Sequence, residues 1–478
     1  MAGSIRFGTD GWRAVIAEDF TFDNVRICAQ AVAEYLRETV GQGAKAVVGY
    51  DTRFGSEDFA AASAEVLAAN GLHVYLTRKA EPTPVVSHAV VNLKADGGIV
   101  ITASHNPGRW NGFKYKGPDG SSAPMEVISE VERHVATLAQ AGTATQVKRM
   151  GLSEAMAAGL VEWHDPSVAY IAGISRLVDF DALRQMSGTV VVDSMFGAGS
   201  GYFARFLGGG HLNIEELNGD RNPLFPGIRP EPIAPNLARL RGRVPEAGAL
   251  MGIATDGDAD RVGIVDEQGR FMTQHQVFAL LCHYLLAVRQ ERGHIVRSVT
   301  TTEMISLLGQ RFGVPVHVTA VGFKYIAPLM LEYDALVGGE ESGGYGFRGH
   351  IPERDGVLAG LYFLDYVRRT GKKPSQLLDD LYGLVGPHHY DRLDQELEPA
   401  DRERVAALLE QMGPDRVGAS EVRAVDRTDG VRLVLRDGSW LLFRLSGTEP
   451  LVRIYAEAES MERVEALLSQ GRSLLGLC

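Results

Sequence analysis

Apolar residues in this chain gather in short, mostly β-branched runs, separated by longer stretches where apolar and polar positions alternate at helical spacing. Residues 46–51, 74–76 and 98–101 read as strands, and the alanine-rich stretch 56–70 reads as a helix. Strands separated by helices of about 10–15 residues predict βαβ units and a largely parallel sheet. The pattern resumes at 189–193, followed by a turn containing Gly197, Gly199 and Gly201. A third round runs from 294–296 through a helix at 303–312 to a strand at 314–318. Asp51 and Asp193 each close a β-branched run before a turn, a weak echo of internal repetition. Residues 223–235 are proline-dense and predict an extended connection. Beyond Gly386-Pro387 the character changes. Strands at 431–435, 440–445 and 452–456 precede a helix at 461–475, which predicts a small α+β domain.

A chain of 478 residues is too long for one core, so three or four domains are expected. Its net charge of −12 disfavours nonspecific nucleic-acid binding. Anions would need a local basic pocket. Cys28, Cys282 and Cys478 are scattered and give neither a disulfide framework nor metal-ligand spacing. The charged amino terminus does not read as a signal peptide, and no apolar stretch is long enough to span a bilayer. A cytoplasmic protein without membrane or nucleic-acid partners is the expectation.

Candidate chemistry sits at the ends of the strand-like runs. Ser104 follows the run 98–101, and Asn106-Pro107 forces a turn that presents its hydroxyl. An isolated serine there more often caps a turn. Asp256, Asp258 and Asp260 stand at alternate positions, so in an extended segment all three point the same way. Their oxygens suit Mg2+ or Ca2+. An EF-hand is disfavoured, because Arg261 occupies the position where that loop needs glycine and the flanks read as strands. A solvated acidic turn is the alternative. Residues 338–346 form a second glycine-rich loop in which the carboxylates of Glu340 and Glu341 and the hydroxyl of Ser342 can bond sugar hydroxyls. Seen alone, it could equally be a flexible acidic loop. Arg444, Ser446, Gly447, Thr448 and Arg453 combine fixed positive charge, hydroxyls and exposed amides in a pattern that suits a phosphate. The glycines near Gly197 lack the lysine of a P-loop and read as a structural turn.

ITASHNP around Ser104, DGDADR, GGEESGG and RLSGTEP occur in that order, with FGTDGWR at the start of the chain. This set resembles the α-D-phosphohexomutase family, the phosphoglucomutases and phosphomannomutases, over essentially the full chain. The resemblance implies three mixed α/β-sheet domains (1–152, 153–268, 269–386) and a smaller C-terminal α+β domain (387–478) around a central cleft. It implies a phosphoserine at Ser104, with Mg2+ held by Asp256, Asp258, Asp260 and a phosphoserine oxygen. Glu340 and Ser342 would contact the sugar, and Lys324 matches a substrate-contacting loop. Arg444, Ser446, Gly447, Thr448 and Arg453 would grip the phosphate not being transferred. Arg13, His105, Lys114 and Arg261 match positions lining the transfer site.

The expected reaction passes a phosphoryl group from Ser104 to a hexose monophosphate and back through a hexose 1,6-bisphosphate. Phosphoryl transfer depends on charge neutralisation and in-line positioning. His105 and Lys114 are the candidates for moving the hydroxyl proton, with the His105 ring expected to point away from Ser104 on an extended loop. Two positions depart from the family pattern. Gly344 stands where many relatives have histidine, and Ala14 where many have glycine. Glu340-Glu341-Ser342 and Gly322-Phe323-Lys324 resemble phosphoglucomutases. That makes a glucose-phosphate mutase the leading expectation, ahead of a phosphomannomutase or dual-specificity enzyme. A non-catalytic hexose-phosphate sensor and a metal-dependent phosphatase are the alternatives from other classes. The partners expected are small sugar phosphates, in a monomer or homodimer.

Overall fold

The computed structural model describes residues 5–8, 10–140, 147–446 and 450–477. Three α/β sheets succeed one another along the chain and share one topology. In the first, Lys45–Tyr50 lies between His73–Thr77 and Gly97–Ile101, all parallel, and Trp110–Lys116 returns antiparallel to Gly97–Ile101. In the second, Gly188–Asp193 lies between Leu212–Leu217 and Met251–Thr255, with Val262–Val265 returning antiparallel. In the third, Ile295–Ser298 lies between Val316–Thr319 and Val337–Gly339, with Tyr345–Phe347 antiparallel. The echo at Asp51 and Asp193 therefore marks equivalent ends of the first strand in two copies of one unit.

Trp12–Val15 and Val161–His164 extend the edges of the first sheet, and Phe271–Met272 extends the second. The inner strands are buried along almost their whole length, as expected of strands covered on both faces. In the third unit the helix Met304–Phe312 ends at Gly313 with φ 65°, and Val314 still donates to the helix carbonyl of Gly309. The strand expected at 314–318 therefore begins later, at Val316. The terminal sheet is wholly antiparallel, in the order His389–Glu396, Leu451–Ala458, Trp440–Leu445, Val431–Leu435, Ser420–Asp426, Arg416–Val417. Its helix Met461–Leu474 packs on the sheet through Val464, Leu467 and Leu468.

The consequence for function is geometric. In each α/β unit the turn between the third strand and its antiparallel partner carries one of the chemistry-bearing motifs. Among the described residues, no helix is long and apolar enough to cross a membrane.

Candidate active site

Ser104 sits in the first of these turns, 1% exposed. Its backbone has φ 52°, the left-handed region that a serine rarely adopts. Surrounding contacts hold it there. Thr102 Oγ1 accepts from the Ser104 N–H at 2.8 Å and donates to Asp51 Oδ2 at 2.6 Å. Arg53, fully buried and paired with Asp51 at 3.0 Å, donates to the carbonyls of Ser104, Asn106, Pro107 and Trp110 at 2.5–3.0 Å. Neither Asp51 nor Arg53 was expected to support the site. The signal available was a charged pair closing a buried strand. The kink aims Ser104 Oγ at Asp256 Oδ2, 2.7 Å away, and leaves it 3.3 Å from His105 Nδ1. The expectation that His105 points away assumed an extended loop, and the left-handed Ser104 overturns it.

The second turn holds Asp256, Asp258 and Asp260, all fully buried. Their convergence comes from a tight turn with Ala259 at φ 56°, not from the extended alternation expected. One potential ligand oxygen from each lies within 4.8 Å of the others. Asp256 Oδ1 accepts from the Arg261 N–H at 3.0 Å. Asp258 Oδ2 accepts from Thr83 Oγ1 at 2.7 Å and from Lys114 Nζ at 2.8 Å. Asp260 Oδ2 lies 3.3 Å from Lys114 Nζ and 2.8 Å from Arg354 Nη2. Asp258 Oδ1 and Asp260 Oδ1 are buried without a hydrogen-bond partner. Orphaned carboxylate oxygens converging in a buried turn fit a hard divalent cation such as Mg2+. Burial and the repulsion of Asp258 and Asp260 hold Asp256 well above the usual carboxylate range. Two glycines allow the turns to meet. A Cβ on Gly257 would stand 2.4 Å from the Ser104 carbonyl, and one on Gly197 2.8 Å from those of Asp256 and Gly257. The glycines at 197–201 are thus structural, as expected, and brace the acidic turn.

Cations surround this junction. Lys114 Nζ lies 2.8 Å from Asp10, 2.8 Å from Asp258 and 3.3 Å from Asp260. Burial alone would lower its pKa, but these carboxylates outweigh burial and hold it above the ordinary lysine value. Burial, then Arg261 and Arg13, push His105 well below the ordinary histidine value. Arg13 Nη1 donates to Asn106 Oδ1 at 2.8 Å, and Arg261 Nε lies 3.8 Å from Asp260. Ala14 lies in the strand beside them, paired with Asn111.

The third turn is closed by a Glu340 N–H bond to the Gly344 carbonyl at 3.1 Å. Burial raises the Glu340 pKa, and Ser342 Oγ is buried without a partner. Arg354 Nη1 lies 3.4 Å from Glu340, and the same guanidinium reaches Asp10 and Asp260. Arg354 was not among the expected site residues. Glu353-Arg354-Asp355, a charged run directly before the apolar stretch 356–364, was the available clue. Lys324, in the first turn of Phe323–Glu332, places Nζ 2.9 Å from Met125 Sδ in the first unit.

Arg444 and Arg453 are directly opposite on neighbouring antiparallel strands of the terminal sheet. Arg444 Nε lies 3.0 Å from Asp429, and Arg453 Nε lies 3.8 Å from Asp394. The Ser446 N–H donates to the Leu451 carbonyl, and the Ser446 carbonyl accepts from Arg402. Gly447 and Thr448, like Thr9 of the opening motif, lie outside the described residues. Tyr390 and Arg392 of this domain each donate to Glu341 Oε1 at 3.1 Å, linking the terminal domain to the sugar-loop motif.

Family models agree with this organisation. Residues 4–142, 168–269 and 273–385 match the phosphoglucomutase/phosphomannomutase α/β/α domains I, II and III, and 397–472 match the C-terminal domain. A phosphoglucomutase/phosphomannomutase of Thermococcus kodakarensis is 33% identical over 474 residues, 98% of each chain. A phosphoglucosamine/phosphogalactosamine mutase of Sulfurisphaera tokodaii is 29% identical over 484 residues, again 98% of each. The crystal structure of a "putative phosphomannomutase" from Thermus thermophilus has a TM-score of 0.86 at 37% identity, covering all of both chains. With four matched domains and a buried aspartate triad fit for a cation, the chain belongs to the phosphoglucomutase/phosphomannomutase family of Mg2+-dependent phosphohexomutases.

Proposed function

We propose that this enzyme interconverts glucose 1-phosphate and glucose 6-phosphate through a phosphoserine at Ser104 and a hexose 1,6-bisphosphate. The observation that carries the reading is the 2.7 Å contact from Ser104 Oγ to Asp256, inside a buried triad with two orphaned carboxylate oxygens. Mg2+ held by Asp256, Asp258, Asp260 and a phosphoserine oxygen would neutralise charge on the phosphoryl group and improve Ser104 as a leaving group. The phosphoserine P–O bond breaks as a sugar hydroxyl forms the new one, and the hydroxyl proton passes to a base. His105, held neutral, can accept that proton, while Lys114, held charged, stabilises the transferring oxygens. Arg13 and Arg261 add fixed positive charge. The bisphosphate then turns around and returns its other phosphate to Ser104.

Glu340 and Ser342 would receive the sugar, with Lys324 at the cleft edge. Arg444, Ser446, Gly447, Thr448 and Arg453 would grip the phosphate that stays. Two like charges directly opposite on a sheet repel, and an anion between them relieves the repulsion. The proposed boundaries of the four units remain 1–152, 153–268, 269–386 and 387–478, with a cytoplasmic enzyme as the setting and Gly386, at φ 82°, as the hinge. Specificity for glucose rests on Glu340-Glu341-Ser342 followed by Gly344. A dual specificity that includes mannose is the second reading, supported by the names of the relatives above. Turnover of glucose, mannose and glucosamine 1-phosphates side by side tests the assignment. A dominant rate on glucose is expected, and a clear preference for another sugar overturns it.

A further inference from the structure

We propose that Arg354 is a positioning residue that fixes the metal triad and the sugar loop in one register, and that Gly344 is glycine in order to admit it. The proposal rests on the phosphohexomutase reading but not on which sugar is turned over. The Arg354 side chain is 5% exposed and reaches four carboxylates. Nη2 lies 2.6 Å from Asp10 and 2.8 Å from Asp260, Nη1 3.4 Å from Glu340, and Nε 3.3 Å from Glu353. Its guanidinium also lies over the Phe323 ring, 5.7 Å from the centroid, beside Lys324. One rigid fork therefore touches the opening loop, the acidic turn, the sugar loop and the Phe323 helix.

Two consequences follow from the geometry. Arg354 and Lys114 both hold Asp260 Oδ2, which fixes the carboxylate plane and leaves Oδ1 without a hydrogen-bond partner. A planar five-donor group can serve Asp260 and Glu340 at once in a fixed relation, which a lysine ammonium cannot reproduce. The 3.4 Å separation at Glu340 is the longest of the four, so that carboxylate keeps capacity for a sugar hydroxyl while its position is set.

Gly344 supplies the independent observation. A Cβ there would stand 2.3 Å from Arg354 Cδ and 2.8 Å from Cγ. Its carbonyl also accepts from the Glu340 N–H, so a side chain at this position would disturb the sugar loop and the guanidinium together. No positive φ is involved, so the requirement for glycine comes from Arg354 and not from backbone strain.

The test is a double-mutant cycle on full-length enzyme, with R354A, R354K, G344A and G344A/R354A. Each variant is read by kcat and KM on whichever hexose phosphate the native enzyme prefers, and by Mn2+ titration without substrate. A wrong sugar assignment changes the assay substrate and leaves the cycle intact. Loss of a partner that orients a metal ligand predicts that R354A weakens Mn2+ binding and kcat/KM about 10–100-fold, with R354K intermediate. G344A should cost about 10-fold in the native background through misplacement of the guanidinium. In R354A, where the colliding atoms are gone, G344A should cost less than about twofold. Native Mn2+ affinity and KM in R354A overturn the proposal, as does a G344A effect undiminished in R354A. If R354A fails to fold, G344A decides alone, and its unchanged Mn2+ affinity and KM overturn the proposal.

Discussion

The turn around Ser104 and the strand pair bearing Arg444 and Arg453 both present cations where a phosphate is proposed to bind, yet they are built on opposite lines. Around Ser104 the fixed charges are buried and matched across three α/β units. Lys114 of the first meets Asp258 and Asp260 of the second, and Arg354 of the third meets Asp10 and Asp260. In the terminal sheet two arginines face one another, 15% and 27% exposed, with Asp429 and Asp394 at their flanks. That sheet joins the rest through an apolar cluster of Val299 with Trp440, Leu442 and Tyr455, and through polar contacts at the same junction. Glu457 accepts from His388 at 2.9 Å, Trp440 at 3.1 Å and the Glu303 N–H at 3.0 Å, while Arg297 and Arg432 both reach Glu303 at 2.6 Å. The lesson is a division of labour. On the proposed reading, transfer geometry is fixed before substrate arrives, and the second grip sits on a terminal domain hinged at Gly386.

The sharpest way to break this division is at Ser104. Ser104→Ala removes the group that would carry the phosphoryl while leaving the clamp of Arg53 intact, since Arg53 binds main-chain carbonyls. Mutase turnover should fall by at least about 10^4-fold in a coupled assay. Calorimetric binding of the hexose phosphate should persist through the terminal arginines. Normal turnover in this variant removes the phosphoserine from the mechanism.

Rigidity of the transfer turn is tested next at Arg53. Arg53→Met keeps the side-chain length but leaves Asp51 buried without its cation and four carbonyls without their donor. Breaking a buried pair in this way costs about 3–5 kcal/mol. Thermal unfolding should register the loss, and kcat should fall with it because the left-handed Ser104 loses its support. A native melting temperature would show that the turn does not depend on this clamp.

Much of this contrast was readable in the sequence. Alternating apolar runs gave the three α/β units, and the motifs stood where strands end, because strand ends are where a rigid sheet delivers loops. The threefold topology was only hinted at by Asp51 and Asp193. Its stronger signature, a hairpin after every third strand, lies in pairing and not in local composition. Turn conformation was harder still. The φ of Ser104 and of Ala259 depends on contacts from distant residues, so both the facing of His105 and the route by which the aspartates converge were misjudged. Arg53 and Arg354 were missed for the same reason. A buried arginine is identified by the carbonyls and carboxylates that surround it, and these come from residues 51–110 and 10–353 respectively.

At the terminal arginines the expected change is smaller and of a different kind. Arg444→Ala or Arg453→Ala removes charge-assisted bonds of about 1.5–3 kcal/mol, which predicts a KM raised about 10–100-fold with kcat affected less. Equal losses in kcat and kcat/KM would instead place these residues in the transfer step and erase the contrast with Ser104.

The mildest effect concerns how the terminal module is held. His388 is buried, which alone would lower its pKa, but the hydrogen bond and charge of Glu457 outweigh burial and raise it above the ordinary value of about 6.5. A raised folded-state pKa means that the stabilisation is fully present below about 6.5 and is lost as pH rises through the folded value. The acidic partners do not change in that window. Burial would raise Glu303, yet Arg297 and Arg432 draw it down to about 2, and Glu457 is likewise held below the ordinary range. Their contributions are present above about 4.5 and fade only as pH falls towards those depressed values. Raising pH from 6 to 9 should therefore weaken the pairing of His388 with Glu457, the carboxylate that accepts from the Glu303 N–H across the junction, by about 1 kcal/mol or less. Small-angle scattering and melting curves across this range should show a modest opening in the native enzyme and a flat profile in His388→Gln. An identical slope in that variant would move the pH sensitivity elsewhere and leave the junction as a fixed strut, not a hinge.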